Sequence, residues 1–218
     1  MNLVKFLFFF AAVISFTLQA QENFTFAVLK YQGGGDWYEG KVGVKNLMRF
    51  LKTNTDINAN LLPEVIEPSD STLQLYPFIY MTGHGNIAFS PTEVNYLRTY
   101  LTTGGFLYAN DDYGMDKSFR REIKKIFPEK KLVKLPKSHP LFSIYYHFPD
   151  GTPKIHKHDG GPGITYALYY NGRIVILYTY NTDIGDGWAP YQVHKDRRAL
   201  RLKALKFGLN IIIYAMTQ

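Results

Sequence analysis

The residues best suited to chemistry stand where apolar runs end. Tyr80-Met81-Thr82 leads into Gly83-His84-Gly85-Asn86, and Phe106-Leu107-Tyr108-Ala109 leads into Asn110-Asp111-Asp112. An imidazole titrates near neutral pH and can serve as base, metal ligand or donor. A carboxylate can orient it or hold a cation. Glycines on both sides of His84 permit close backbone approach. Neighbouring acids point different ways, so one of Asp111 and Asp112 faces a crevice while the other caps a turn or helix. If the protein is an enzyme, His84 is the base and Asp111 its orienting or metal-holding partner.

Three further segments carry polar groups. Asp36 and Trp37 follow the glycine-rich turn Gly33-Gly34-Gly35. That turn could cradle an anion at a helix start, but it lacks the Lys-Ser/Thr of a phosphate loop and the G-x-G-x-x-G of a dinucleotide loop. Asp183-Ile184-Gly185-Asp186-Gly187-Trp188 does not match the EF-hand spacing. His156-Lys157-His158-Asp159 could ligate zinc or copper if Asp159 or His84 joined the two histidines. A two-residue histidine spacing is not a recognised zinc pattern, so this loop is read as solvated, and no metal or cofactor is assigned. No G-x-S-x-G elbow occurs, which removes the usual serine-hydrolase reading. The expected ligand-binding set is Asp36, Trp37, His84, Asn110, Asp111, Asp183, Asp186 and Trp188, with Trp37, Trp188 and Tyr113 able to stack on a sugar ring.

The elements that must position these residues alternate. Phe24–Tyr31 is an apolar run suited to a buried strand, followed by helical spacing over 42–54. The segment 61–66 reads as an edge strand because of Pro63. A strand over 76–82 precedes a helix that Ser90, Pro91 and Glu93 start with a capping box. A strand over 106–109, a helix over 116–127 and a short strand over 132–135 follow. This alternation predicts a three-layer α/β sandwich around a mostly parallel sheet. Strands over 164–170 and 173–180 are joined by Asn171-Gly172, a strong hairpin signal, and a last helix spans 199–216. The loop 149–163 between these parts is long enough to suggest a function.

The bulk numbers narrow the context. Lys5, the apolar run Phe6–Leu18 and Ala20 resemble a secretory signal, so residues 1–20 are expected to be removed and 21–218 to form one domain. Export to the periplasm or beyond is the expectation. The chain has no cysteine, which excludes disulfides, thiolate metal sites and thiol nucleophiles. The net charge of +7 is concentrated around 120–131 and 195–206. These runs are read as solvated helix faces, with peripheral contact to an anionic envelope surface in view and no nucleic-acid partner. The helix 195–206 could instead present an interaction surface.

Five segments together resemble a known family. They are Gly34-Gly35-Asp36-Trp37, Thr82-Gly83-His84-Gly85, Gly104 to Asp111, His139-Pro140-Leu141-Phe142 and Asn181 to Trp188. In this order they are similar to a family of bacterial proteins of unknown function with a class I glutamine amidotransferase-like, flavodoxin-like fold. The resemblance implies the fold but not an activity. The elbow that holds the cysteine in true amidotransferases here carries Asn110-Asp111, so glutamine hydrolysis by a thiolate is excluded. Similar domains occur with envelope proteins of the aerotolerance type and their ATPases, which implies an envelope partner by association only. The leading expectation is therefore an exported, non-enzymatic domain that binds a small molecule, carbohydrate or envelope protein. The alternative is a metal-assisted or His/Asp-dependent hydrolase acting on an envelope carbohydrate or peptide.

Overall fold

The computed structural model describes residues 23–218, and the expected leader 1–20 lies outside the described residues. Strand β1 (Ala27–Leu29) is fully buried and is followed by helix α1 (Lys41–Asn54). β2 (Glu64–Ile66) follows Pro63 and takes the sheet edge, where a missing N–H does least harm. β3 (Phe78–His84), α2 (Pro91–Thr102), β4 (Phe106–Tyr113) and α3 (Asp116–Ile126) continue the alternation. Ser90 accepts from Glu93 N, and the Glu93 side chain accepts from Ser90 N, so the expected capping box starts α2. The short β5 (Val133–Lys134) precedes the hairpin of β6 (Ile164–Tyr170) and β7 (Arg173–Tyr180). Asn171 and Gly172 adopt φ of 49° and 81°, the left-handed pair that a two-residue type I′ turn needs. A one-turn helix α4 (Tyr191–His194) and the long α5 (Arg198–Thr217) complete the chain.

The seven strands lie in the order β2-β1-β3-β4-β7-β6-β5. β1, β2, β3, β4 and β7 pair in parallel, and β6 pairs antiparallel with both β7 and β5. Side chains alternate across the sheet. Tyr80, Tyr108 and Leu177 pack toward α1 and α5, whereas Ile79, Met81, Leu107 and Ala109 pack toward α2 and α3. The result is a three-layer, flavodoxin-like sandwich. Its strand order reverses between β1 and β3, which is where open parallel sheets leave a crevice at their carboxyl edge.

One local difference from expectation matters for the site. β4 does not turn after Ala109 but continues through Asn110, Asp111 and Asp112 to Tyr113. Asn110 is held in the ladder because its side chain is fully employed. It donates to Thr82 Oγ1 at 3.1 Å and accepts from Thr179 Oγ1 at 3.1 Å and Ile184 N at 2.9 Å. Gly83 then pairs with Asp111 and His84 with Tyr113, so the register shifts and Asp112 is left over. Such a bulge re-aims a side chain at the strand end.

The basic runs are partly tied into the fold. Arg121 donates to Glu122 and to Ile87 O, and Arg120 lies over the Tyr166 and Tyr178 rings. Among the described residues, no helix is long and apolar enough to cross a membrane.

Candidate metal centre

Two glycine turns lock together at the switch point. A Cβ on Gly35 would come within 2.7 Å of both His84 O and the Tyr31 hydroxyl, and one on Gly83 within 2.8 Å of Asp36 Oδ1. Glycine at both positions lets the loop after β1 lie against the end of β3. Asp36 thereby reaches His84 twice. Its Oδ1 accepts from the His84 main-chain N–H, and its Oδ2 lies 3.0 Å from His84 Nδ1. The His84 side chain is half-exposed. Its second carboxylate neighbour is Asp112, whose Oδ2 lies 3.8 Å from Nδ1.

The expected pairing of His84 with Asp111 is therefore corrected. Successive strand residues face opposite sides, and Asp111 projects toward α3, where its Oδ1 accepts from Met115 N at 3.1 Å. Burial raises the Asp111 carboxyl to about 6. Asp112, on the other face, points into a cluster of carboxylates and imidazoles.

That cluster is assembled by turns at the end of β7. Asn181 and Asp183 have φ of 57° and 52°, left-handed conformations that Asn and Asp tolerate. The loop 149–163 is fastened to this turn. Lys154 Nζ donates to Asn181 O at 2.6 Å, and the amides of Ile155 and His156 donate to Thr182 O at 3.1 Å. His156 Nδ1 then lies 3.2 Å from Asp183 Oδ2 and 3.4 Å from Asp186 Oδ2. His158 Nε2 meets the same Asp183 oxygen. His156 Nε2 is 2.9 Å from Asp196 Oδ2, and His194 Nε2 is 3.6 Å from Asp186 Oδ1. Tyr113 stacks on the His158 ring at 4.6 Å. It does so with φ of 141°, a conformation rare for a side chain of its size and of the kind that gathers at functional sites.

The electrostatics are those of a crowded acidic site. Burial, then the charges of Asp186 and Asp183, push the Asp112 carboxyl up to about 9. Hydrogen bonds to Asp183 and Asp186 lift His156 to about 11, despite partial burial and with further help from Asp196. Burial pushes Asp186 up, but the His156 hydrogen bond and the neighbouring imidazoles outweigh it and leave it below the usual range. Asp112 Oδ1 and Asp183 Oδ1 are buried without a hydrogen-bond partner among the described residues. Buried polar atoms left unpaired cost about 1–3 kcal/mol each, so each calls for an explanation. Two sets of residues bring one donor atom apiece to within 4.8 Å of one another: His156, His158 and Asp183, and Asp112, Asp183 and Asp186. Neutral imidazole with carboxylate suits zinc, manganese or iron(II). If a cation displaced the proton on His156 Nδ1, Asp196 on the far nitrogen would be placed as the outer carboxylate that orients a ligating imidazole.

A stability prediction follows from the two raised groups. Asp112 keeps its proton in the folded chain from about pH 4 to about 9, where the unfolded chain has lost it. His156 does the same from about 6.5 to about 11. Both make folding take up protons, so chelator-treated protein should lose stability as pH rises from 6 to 9, by several kcal/mol at about 1.4 kcal/mol per proton and pH unit. Urea unfolding at the two pH values checks this. Unchanged or increased stability at pH 9 would contradict it.

The other expected residues divide. Asp36, His84, Asp183 and Asp186 do meet at one end of the sheet. Asn110 is fully buried and spent on structure. Trp188 is also fully buried, with its Nε1 donating to Ala204 O at 3.1 Å, so it forms core and not a crevice wall. A tryptophan turned inward after a polar turn reads the same in sequence as one turned outward. Trp37 is partly buried under the Lys41 ammonium. Asp159 offers only its main-chain carbonyl, to Lys154. The partner that His156 and His158 required is Asp183 instead, 25 or more positions away. His194 and Asp196 pass unnoticed in the sequence because they lie in a basic run, although their own spacing was the available signal. An open cavity of about 270 Å³, lined by Asp111, Tyr113, His158 and Asp183 among others, gives access to the cluster.

No curated protein matches the chain. The model of one family, described as a domain of unknown function (DUF4159), matches residues 25–216. That span contains every residue of the cluster and every strand of the sheet, and the chain belongs to the DUF4159 family.

Proposed function

We propose that the protein is a metal-dependent hydrolase that holds a divalent cation among Asp112, Asp183, Asp186, His156 and His158. The observation that carries this reading is the pair of buried carboxylate oxygens, Asp112 Oδ1 and Asp183 Oδ1, that no donor satisfies among the described residues. A bound cation would polarise a substrate carbonyl and acidify water. His84 is the proton-transfer group. With its Nδ1–H given to Asp36, the other ring nitrogen is free to take a proton from water and return it to the leaving group. The substrate class is an amide or ester on an envelope peptide or carbohydrate, in keeping with the leader-like N-terminus. Likeness to class I glutamine amidotransferases enters this proposal only as scaffold, since there is no cysteine to attack glutamine.

The test is a panel of acylated sugars and peptides offered to the protein with added Mn²⁺ or Zn²⁺. Turnover that needs the metal is expected. His84→Gln should lower it about 100-fold or more while keeping metal binding, and Asp36→Asn should lower it less. Metal binding without turnover on any substrate would return the crevice to a ligand-binding role. No metal binding at all would remove the proposal.

A further inference from the structure

We propose that the centre is binuclear, with Asp183 bridging two divalent cations. One would be held by His156 and His158, the other by Asp112 and Asp186. This rests on the metal reading above and specifies it further.

The two three-residue sets share one member, Asp183. Its two oxygens have different surroundings. Oδ2 faces His156 Nδ1 at 3.2 Å and His158 Nε2, whereas Oδ1 is buried and unpartnered among the described residues. Asp183 is 1% exposed, so that second oxygen makes almost no contact with bulk solvent. A cation bound only beside the histidines would use Oδ2 and leave Oδ1 bare. A bridging carboxylate uses both, one for each ion. Asp112 repeats the pattern at 2% exposure, with its Oδ2 toward His84 and its Oδ1 unpartnered.

Charge leads to the same conclusion. Asp112, Asp183, Asp186 and Asp196 carry four negative charges when ionised, and the imidazoles that ligate metal are neutral. Two divalent cations balance them, while one leaves an excess of two. Such an excess is disfavoured where two of the carboxylates, Asp112 and Asp183, are almost fully buried. Each ion would have three protein donors, the count that leaves a position open for substrate or water. The donor types also differ. The histidine position offers two nitrogens and one oxygen, which favours Zn²⁺, and the aspartate position offers oxygens only, which favours Mn²⁺ or Mg²⁺. In two-metal hydrolytic sites the ions sit about 3.5–4 Å apart, a span that one carboxylate bridges.

The experiment is metal counting on the chelator-stripped chain after loading with Mn²⁺. Elemental analysis after gel filtration gives the number of ions, and electron paramagnetic resonance reports whether they are coupled. The expected result is two ions per chain with the spectrum of an exchange-coupled pair. Asp186→Asn and His158→Ala should each leave one ion and an uncoupled spectrum. One ion per wild-type chain would overturn the binuclear centre and leave the metal-dependent reading standing. Two ions without coupling would overturn the Asp183 bridge. No ion would overturn both. The wild-type measurement decides among these outcomes even where a variant fails to fold.

Discussion

Replacing Asp112 by asparagine is expected to make the metal-free protein more stable and to strip it of its response to metal. In the folded chain Asp112 is buried beside Asp183 and Asp186, and its carboxyl is pushed up to about 9 by burial and by those charges. An amide of the same shape removes the ionisable group and can donate to the carboxylates around it. The gain should be about 1–3 kcal/mol, the usual scale for a buried polar group that lacks a partner. The same change removes a metal donor, and affinity should fall by more than the ~10–100-fold lost with an outer-shell partner. In the wild type, metal at 100 times its dissociation constant should add about 2.7 kcal/mol. For a chain of this size that is a rise in Tm of roughly 5–10 °C. Thermal melts with and without Mn²⁺ test both halves. A destabilised Asp112→Asn variant that still shifts with metal would place Asp112 in the framework and not in the site. Opposite signs for stability and binding are expected where a fold bears strain for function.

Replacing Trp188 by alanine should have the largest effect on stability of any single change, about 3–5 kcal/mol. The indole lies 5.4 Å from the Tyr80 ring and 6.2–6.3 Å from Tyr108 and Phe26. Its main-chain carbonyl accepts from Asn46 at 2.9 Å, which ties α1 to the turn after β7. Gly208 of α5 lets that helix pass over it, because a Cβ there would lie 2.9 Å from Nε1. Two residues upstream stands Asp186, so the cavity should also loosen the cluster. Denaturation by urea measures the loss, and a cost below ~1 kcal/mol would return Trp188 to the crevice wall.

The fold was legible because its signals are local. Ser90-Pro91-Thr92-Glu93 states a helix start, Asn171-Gly172 states a hairpin, and Pro63 states an edge strand. Each is read within four residues, and each is found where expected. The site was legible only by region. That His84, Asp36, Asp183 and Asp186 converge follows from the parallel sheet, whose strand ends share one edge. Which of two adjacent acids faces the cluster does not follow from their identity, because it depends on β4 running on past Ala109, whose alternation turns Asp111 toward α3 and Asp112 the other way. Nor does the joining of His156 and His158 to Asp183. That contact depends on where a long loop is fastened, by Lys154 to Asn181 and by the Ile155 and His156 amides to Thr182 O. Asn110 shows the opposite failure. A buried asparagine that holds three chain segments together looks, in sequence, like one that binds a ligand.

The fastening of the loop 149–163 to the turn after β7 has a consequence for when the centre can exist. The donors come from Asp112, His156, His158, Asp183 and Asp186, groups brought close only when β4 and β7 lie side by side and the loop is tied down. A nascent or unravelled chain offers the ion scattered single donors and little affinity. On the proposed metal reading, uptake of the ion would report that this half of the molecule has been assembled correctly. A protease cut between Asp159 and Gly163 would leave the strands in place but put both imidazoles on a different fragment from Asp183, and on the proposed reading metal affinity would fall before the fold was lost.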